Sequence, residues 1–558
     1  MTSLALAAVL ASPAAAQLTV EQKLFDFQQM AASFGKNYAP LEWKRQIHPG
    51  LDLFDLRAWT DRVRATKNDL EFADLCFEFA AQFDDGHTQP AMQSDFVAFL
   101  PIATDVYDGK VLIEAIDRRA LPPARYPFVV GSEVVTLDGV PAEQWLERLA
   151  KYSFGANALS NRRFAADYMT FRPQAIYPFA HRLADTAMVG VRMASGDVEE
   201  FEMAWVKRGT PVENFGKVPN QRFAAASDGL ADSGAADDWL RRMRNLRMAV
   251  GRPLALSGFG NPAPYYRLPA GFRVRLGLAR TDAFVSGTYQ AEGLRIGYIR
   301  FGSFDGSTEA LTQFITEVQF FEANTDGLVI DDTRNPGGDA CYTEALLRLL
   351  MPAPFRTLGF QIRPTASLLT GLSRSLTSAR ANGAEQFQID QLEALYTDIS
   401  KAYQEDRGLT GPLPLCGLSL DAQPVRDRAG ALISYDKPIL VLTDELSASA
   451  ADAFAAVMQD NGRAVIFGMR TMGLGGALFS VGLPLTTYSE IEGSVTGALM
   501  VRARDIVSSE YPTAPFIENI GVRPDIYYDY MTAENLTTQG VPFVRAFTAA
   551  MVDTILGR

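Results

Sequence analysis

Residues 437–476 read KPILVLTDELSASAADAFAAVMQDNGRAVIFGMRTMGLGG, and this stretch decides the fold. Ile439-Leu440-Val441-Leu442 is an unbroken apolar run between Pro438 and Thr443-Asp444, the pattern of a short strand buried on both faces. The small-residue turn Ser447-Ala448-Ser449-Ala450 follows. Phe454, Val457 and Met458 then fall at i, i+3, i+4, which predicts a helix stopped by Asn461-Gly462. Residues 464–467 read as a second buried strand. A serine between a strand's end and a helix's start meets unpaired N–H groups and the positive end of the helix dipole, so negative charge can develop there. A serine is also a good helix N-cap. These residues alone leave Ser447 and Ser449 open between cap and nucleophile.

The same alternation recurs upstream. Ile296-Gly297-Tyr298-Ile299 reads as a strand, and Phe304-Asp305-Gly306-Ser307 leads into a helix with Leu311, Phe314, Ile315, Val318 and Phe321 on one face. Residues 327–331 form a further buried strand. The loop Asp332-Thr333-Arg334-Asn335-Pro336-Gly337-Gly338 and a helix over 343–350 follow. Strand, helix, strand, helix at this spacing predicts an α/β core whose sheet is covered on both faces. Residues 351–423 are a long excursion with a helix at 385–403. After Gly476, short strands run to about residue 503, a Gly- and Pro-punctuated loop occupies 515–525, and a helix over 541–556 closes the chain.

The first part of the chain has a different character. Residues 19–92 read as helical, with Leu75, Phe79 and Phe83 at i, i+4, i+8. That pattern stops at Asp84-Asp85-Gly86-His87-Thr88, which places His87 on an exposed turn, where a histidine is ordinarily just a helix-end cation. Asp84 and Asp85 are its neighbours in sequence. Residues 96–206 look like a β-rich module, with strands at Lys110-Val111-Leu112-Ile113 and Glu133-Val134-Val135-Thr136-Leu137, a helix over 143–149, and a hairpin about Ser195-Gly196-Asp197. Residues 210–286 are compositionally loose, including AAASDGLADSGAADD and a Gly- and Pro-rich run.

Length and composition set the outer bounds. A chain of 558 residues, 47% hydrophobic and 21% charged, has room for two or three ordinary globular domains. A formal charge of −13 argues against nucleic acid and anionic membrane as partners. Ala14-Ala15-Ala16 after the apolar run 4–10 suits a secretory signal cleaved before Gln17, although no positive residues precede that run. Cys76, Cys341 and Cys416 allow one disulfide at most, and with three histidines (His48, His87, His181) no metal site is expected.

Four separated motifs stand in one order: Asp85-Gly86-His87-Thr88, Arg334-Asn335-Pro336-Gly337-Gly338, Ser447-Ala448-Ser449-Ala450 and Glu518-Asn519-Ile520-Gly521-Val522-Arg523-Pro524-Asp525. Together they resemble the S41 peptidase superfamily of C-terminal processing and tricorn-like proteases, in its chlamydial protease-like activity factor branch. Tail-specific members pair the serine with a lysine 25 residues on. Position 474 here is Leu474, which has no lone pair to accept a proton. The resemblance implies instead a triad of Ser449, His87 and Glu518, with the N–H of Ala450 and of Gly337 or Gly338 as the oxyanion hole. Glu518 is weighted above Asp84 and Asp85 as the group that orients His87. Met472, Leu474 and Phe479 are weighed as pocket lining or as ordinary core.

The resemblance implies a ClpP/crotonase-like α/β core at 291–558, an N-terminal helical region at 17–95 carrying the histidine, and a regulatory linker at 210–290, behind a signal peptide at 1–16. VGSEVVTLDGVPAEQWLERL, residues 130–149, resembles a PDZ domain, so an inserted PDZ-like domain is placed at 96–209. Such a domain either takes an extended peptide on a sheet edge or serves as structural filler. The expected function is a secreted or periplasmic serine endopeptidase acting on protein or peptide substrates, with no cofactor. The resemblance also implies activation by internal cleavage within 210–263 and by homodimerisation. The alternative is a catalytically silent protein of the same fold that binds peptides or hydrophobic ligands.

Overall fold

The computed structural model describes residues 17–215, 259–279, 281–478, 485–489 and 491–558. The signal-like run 1–16, most of the expected linker and Phe479 lie outside them. Seven strands form the central sheet: β1 (Arg273–Leu276), β2 (Val285–Ala291), β3 (Leu294–Arg300), β4 (Gly327–Asp331), β5 (Ile439–Thr443), β6 (Val465–Gly468) and β7 (Ile526–Tyr527). They lie side by side in chain order, parallel from β3 to β7 and antiparallel at the β1–β2–β3 edge.

Side-chain alternation, with a core on each face of the sheet, explains why the central strands β4, β5 and β6 are apolar at nearly every position. Leu328, Ile330, Ile439 and Val441 face a core built with the helices Thr308–Asn324, Ala340–Leu350 and Ala450–Asp460. Val329, Leu440 and Leu442 face the opposite core, closed by Phe543, Phe547 and Met551 of the helix Val541–Leu556. The helix Ala450–Asp460, which carries the serine turn at its start, anchors in the first core through Phe454. That ring lies 5.6 Å from Phe301 and 5.4 Å from Phe304.

The N-terminal region forms four helices, Val20–Asn37, Leu41–Ile47, Arg57–Ala65 and Asp69–Ala81. The last two are separated where Asn68 accepts the Glu71 N–H and caps the second. The β module sets Val134–Leu137, Thr186–Arg192 and Val198–Ala204 in one antiparallel sheet. Its interior is continuous with that of the helices. Phe27, Phe34, Phe79, Phe164, Val189 and Phe201 belong to one buried cluster, which extends to Met472 and Leu474 beside the serine turn. The excursion after residue 350 holds two helices, Ala366–Ala381 and Gln386–Gln404, where the sequence suggested one. A Cys341–Cys416 disulfide ties the end of the excursion to the helix Ala340–Leu350, and Cys76 is buried and unpaired.

Replacing Phe454 by Ala removes the ring that anchors the serine helix and leaves a cavity between Phe301 and Phe304. A loss of roughly 3–5 kcal/mol in urea unfolding is expected, against less than about 0.5 kcal/mol for the half-exposed control Phe387→Ala.

Candidate active site

Ser449 follows β5 at φ 57° and ψ −114°, a conformation that costs a non-glycine residue on the order of 1–3 kcal/mol. Its surroundings hold it there. The Ser449 N–H donates to Asp452 Oδ2 at 2.8 Å. Asp452 is fully buried and also accepts the N–H groups of Gly473 at 2.9 Å and Leu474 at 3.0 Å, together with the Thr471 hydroxyl. Burial pushes this carboxyl up to about 6, against the pull of those donors. Asp452 therefore does more than favour the first helical turn: it fastens the serine to residues 471–474.

Ser447, the other serine weighed as cap or nucleophile, serves as neither. Its fully buried hydroxyl donates to the Asp332 carbonyl at 2.7 Å and accepts the Asp444 N–H at 3.1 Å, locking the ends of β4 and β5 together.

The glycine loop comes close to this turn. A Cβ built on Gly337 would lie 2.7 Å from Ser449 Cβ and 2.9 Å from Ala450 N, so only glycine fits, at a φ of 97°. The Ala448 N–H donates to the Asn335 carbonyl at 2.8 Å, stitching loop to turn. The expectation for the oxyanion donors is corrected at one position. The Gly337 N–H is already donated to Asn335 Oδ1 at 2.9 Å and cannot serve. Among the described residues the N–H groups of Gly338 and Ala450 have no protein acceptor, Ala450 because it opens a helix.

His87 is buried rather than exposed. A Cβ on Gly86 would meet the Phe154 carbonyl oxygen at 2.0 Å, so the glycine lets the β module close over this turn. The Asp85 carboxylate shapes the turn by accepting the His87 N–H at 2.8 Å, the Thr88 hydroxyl at 3.1 Å and the Thr496 hydroxyl at 2.7 Å. Burial lowers the imidazole to about 4, with the Asp85 charge opposing. His87 Nδ1 is buried without a hydrogen-bond partner among the described residues.

Glu518 has different partners from those expected of it. Its Oε1 accepts the Lys44 ammonium at 2.6 Å and its Oε2 accepts the Gly475 N–H at 3.0 Å; no hydrogen bond joins it to His87. The dipeptide Gly475-Gly476 runs between the two. A Cβ on Gly475 would lie 2.1 Å from Glu518 N, and one on Gly476 would lie 3.3 Å from His87 Nδ1. Burial pushes Glu518 up to about 8, with Lys44 opposing and Asp85 reinforcing the rise. Ser449, His87 and Glu518 thus all border residues 471–476, with no hydrogen bond between Ser449 Oγ and the His87 ring.

Sequence reasoning missed Lys44 altogether. Its ammonium donates to Glu518, to Asn519 Oδ1 at 2.7 Å and to the Asp84 carbonyl at 3.0 Å, and its side chain is wholly buried. Beside Arg45 on a short helix it reads as ordinary surface charge, and no local signal marks it.

Residues 295–528 match the family model for peptidase family S41, and residues 97–212 match a PDZ domain. A protein of Chlamydia trachomatis is 33% identical over 246 residues, which cover 41% of this chain and 38% of that relative's length. One from Chlamydia pneumoniae is 23% identical over 612 residues, covering 96% of this chain and 91% of that one. Among solved structures, mature CPAF complexed with lactacystin superposes with a TM-score of 0.75 at 21% identity, covering 97% of this chain and 99% of that one. At that identity the likeness establishes the fold.

The closeness of Gly337 to the serine turn gives a direct check. Gly337→Ala must displace Ser449 or the loop, and should lower peptide hydrolysis by about 100-fold or more in protein that still unfolds cooperatively.

Proposed function

We propose that this chain, whose residues 295–528 match the model of peptidase family S41, is a serine protease in which peptide bonds are cleaved by Ser449 with His87 as general base and Glu518 as the acidic member of the site. The observation that supports this best is the strand-to-helix turn of Ser449, strained and held by Asp452, with the uncommitted N–H groups of Ala450 and Gly338 beside it.

The chemistry follows from the groups present. His87 is neutral at neutral pH and can take the Ser449 hydroxyl proton as oxygen attacks the scissile carbonyl. The tetrahedral oxyanion is met by Ala450 N–H and Gly338 N–H, each such donor contributing roughly 3–4 kcal/mol. His87 then protonates the leaving amine, and water attacks the acyl-enzyme by the same route in reverse. Burial raises Glu518 to about 8, against the pull of Lys44 and the Gly475 N–H. The imidazolium that forms on His87 favours its charged form across the glycine dipeptide. Leu474 leaves no lysine at the position where a Ser-Lys dyad would need one. Hydrogen bonds between serine and base often tighten only when substrate binds, so the lack of a Ser449–His87 bond here does not count against His87 as base.

Three further parts of the proposal rest on the resemblance: export to a secreted or periplasmic location, activation by cleavage within 210–263, and self-association as a homodimer. The first two concern chiefly residues outside those described.

Ser449→Ala and His87→Ala should each abolish both peptidase activity and labelling by a fluorophosphonate probe; retained hydrolysis by Ser449→Ala sinks the assignment. The pH profile is a separate check. The base works when unprotonated, so kcat/KM rises with pH through the histidine's value in the free enzyme. With that value lowered from 6.5 to about 4, the acid limb should have its midpoint near pH 4. A midpoint at 6.5 or above would show that His87 titrates as an exposed histidine.

A further inference from the structure

The loop that presents Gly338 begins at Arg334, and that residue is gripped from the β module. Arg334 is fully buried at φ 54°. Its N–H donates to Asp444 Oδ1 at 2.8 Å, three residues before Ser447. Its guanidinium donates to Glu114 Oε1 at 2.8 Å, to the Tyr107 hydroxyl at 3.3 Å and to the Tyr530 hydroxyl at 3.3 Å, and lies 4.2 Å from the Tyr265 ring centroid. Tyr107 and Glu114 sit on the two strands of the hairpin Ile102–Tyr107 and Lys110–Ile116, within the PDZ-matched residues, and bond each other at 2.6 Å.

The tip of that hairpin is fixed to the core. The Asp108 N–H donates to the Met531 carbonyl at 2.8 Å, and Asp108 Oδ2 accepts the Ala533 N–H at 2.8 Å. The serine side is held from the same module. Arg163 pairs with Asp105 at 2.8 Å and donates to Asp444 Oδ2 at 3.1 Å, where the Tyr530 hydroxyl also bonds at 2.5 Å. Asp444 therefore receives the oxyanion loop on one oxygen and a module arginine on the other.

Tyr107, Glu114, Tyr265 and Tyr530, the residues around the Arg334 guanidinium, also wall a cavity of about 300 Å³ between module and core. The grip is bordered by open space, so packing does not duplicate what these polar contacts do. Burying a guanidinium here is costly unless each partner is in place.

We propose that Arg334 is a positioning residue of the oxyanion loop and that the module hairpin sets it through Glu114 and Tyr107. With the hairpin seated, Arg334 holds the loop so that the Gly338 N–H faces the developing oxyanion. With the hairpin displaced, the loop loses its anchor and the transition state loses a donor. The module is then a working part of the peptidase whether or not it binds peptide itself. This rests on the assignment of Ser449 and Gly338 above.

The test uses the full chain carrying Glu114→Gln, Arg334→Lys, Tyr107→Phe and the double variant Glu114→Gln/Arg334→Lys, with kcat and KM measured per site titrated by fluorophosphonate. Glu114→Gln and Arg334→Lys should lower kcat by about tenfold or more with KM within about twofold, and the double variant should be little worse than Arg334→Lys alone. Titration removes any contribution from unfolded protein. Should the arginine variant fail to fold, Tyr107→Phe, which deletes one hydroxyl, should still lower kcat by about threefold or more. Unchanged kcat per titrated site, or losses that simply add in the double variant, overturns the proposal. Ser449→Ala in the same series separates the two readings. If Ser449→Ala keeps activity, the site assignment fails; if it is dead while the Arg334 and Glu114 variants stay fully active, only the positioning role fails.

Discussion

One buried ammonium organises the catalytic half of this molecule. Lys44 has three protons to donate and places them on Glu518, on Asn519 and on the carbonyl of Asp84, the residue that opens the turn to His87. A charge with no exposed side-chain surface survives only if every proton finds an acceptor, and here the acceptors come from opposite ends of the chain. Asn519, itself at φ 64°, returns its amide to the same Asp84 carbonyl at 3.0 Å and to the Ala156 carbonyl at 2.8 Å. The histidine turn, the glutamate loop and the β module are therefore mutually placed by one small polar knot. Such a knot is a poor source of net stability, since an apolar replacement of equal volume often does as well. What it provides is geometry that apolar packing alone does not specify.

The sheet and the serine helix were legible because local pattern decides them. The apolar runs at 327–331 and 439–442, and the spacing of Phe454, Val457 and Met458, allow few alternatives. The glycines of the loop after β4 were legible as a close approach, but which N–H remains available was not. That depends on Asn335 turning its amide oxygen onto Gly337, a rotamer choice that carries no sequence signature. The break at Asn68 is an N-cap signal that the continuous helical reading of residues 19–92 passes over.

His87 and Glu518 show a different limit. Both were identifiable by motif, yet their surroundings are set by residues far along the chain. His87 looked exposed because its own neighbours are Asp, Gly and Thr; Phe154, Ser494 and Thr496, which pack on or bond to its turn, come from far along the chain. Glu518 was read as the partner of the histidine from the resemblance, whereas Lys44, 474 residues away, takes one of its oxygens. Leu474 was informative for what it lacks. In space it also has a positive role: a Cβ on Gly86 would lie 3.1 Å from its Cδ1, so the side chain that replaces a base packs against the histidine's own turn.

These contacts bear on what the family-matched region can do alone. Residues 295–528 contain Ser449, Ala450, Gly338 and Glu518, yet His87, the Lys44 partner of Glu518 and the carboxylate partner of Arg334 come from earlier in the chain. His87 and Lys44 belong to the first hundred residues, and Glu114, Tyr107 and Arg163 to the β module. Without them Glu518 loses its ammonium partner, Asp444 an arginine and Arg334 its carboxylate, each left with only part of what offsets its burial. The larger core carries the serine turn, and the N-terminal half brings His87 and Lys44 to residues 471–476 and Glu518. The candidate site therefore lies at the junction between the two halves, and on the proposed reading displacement of either half acts on catalysis through named side chains.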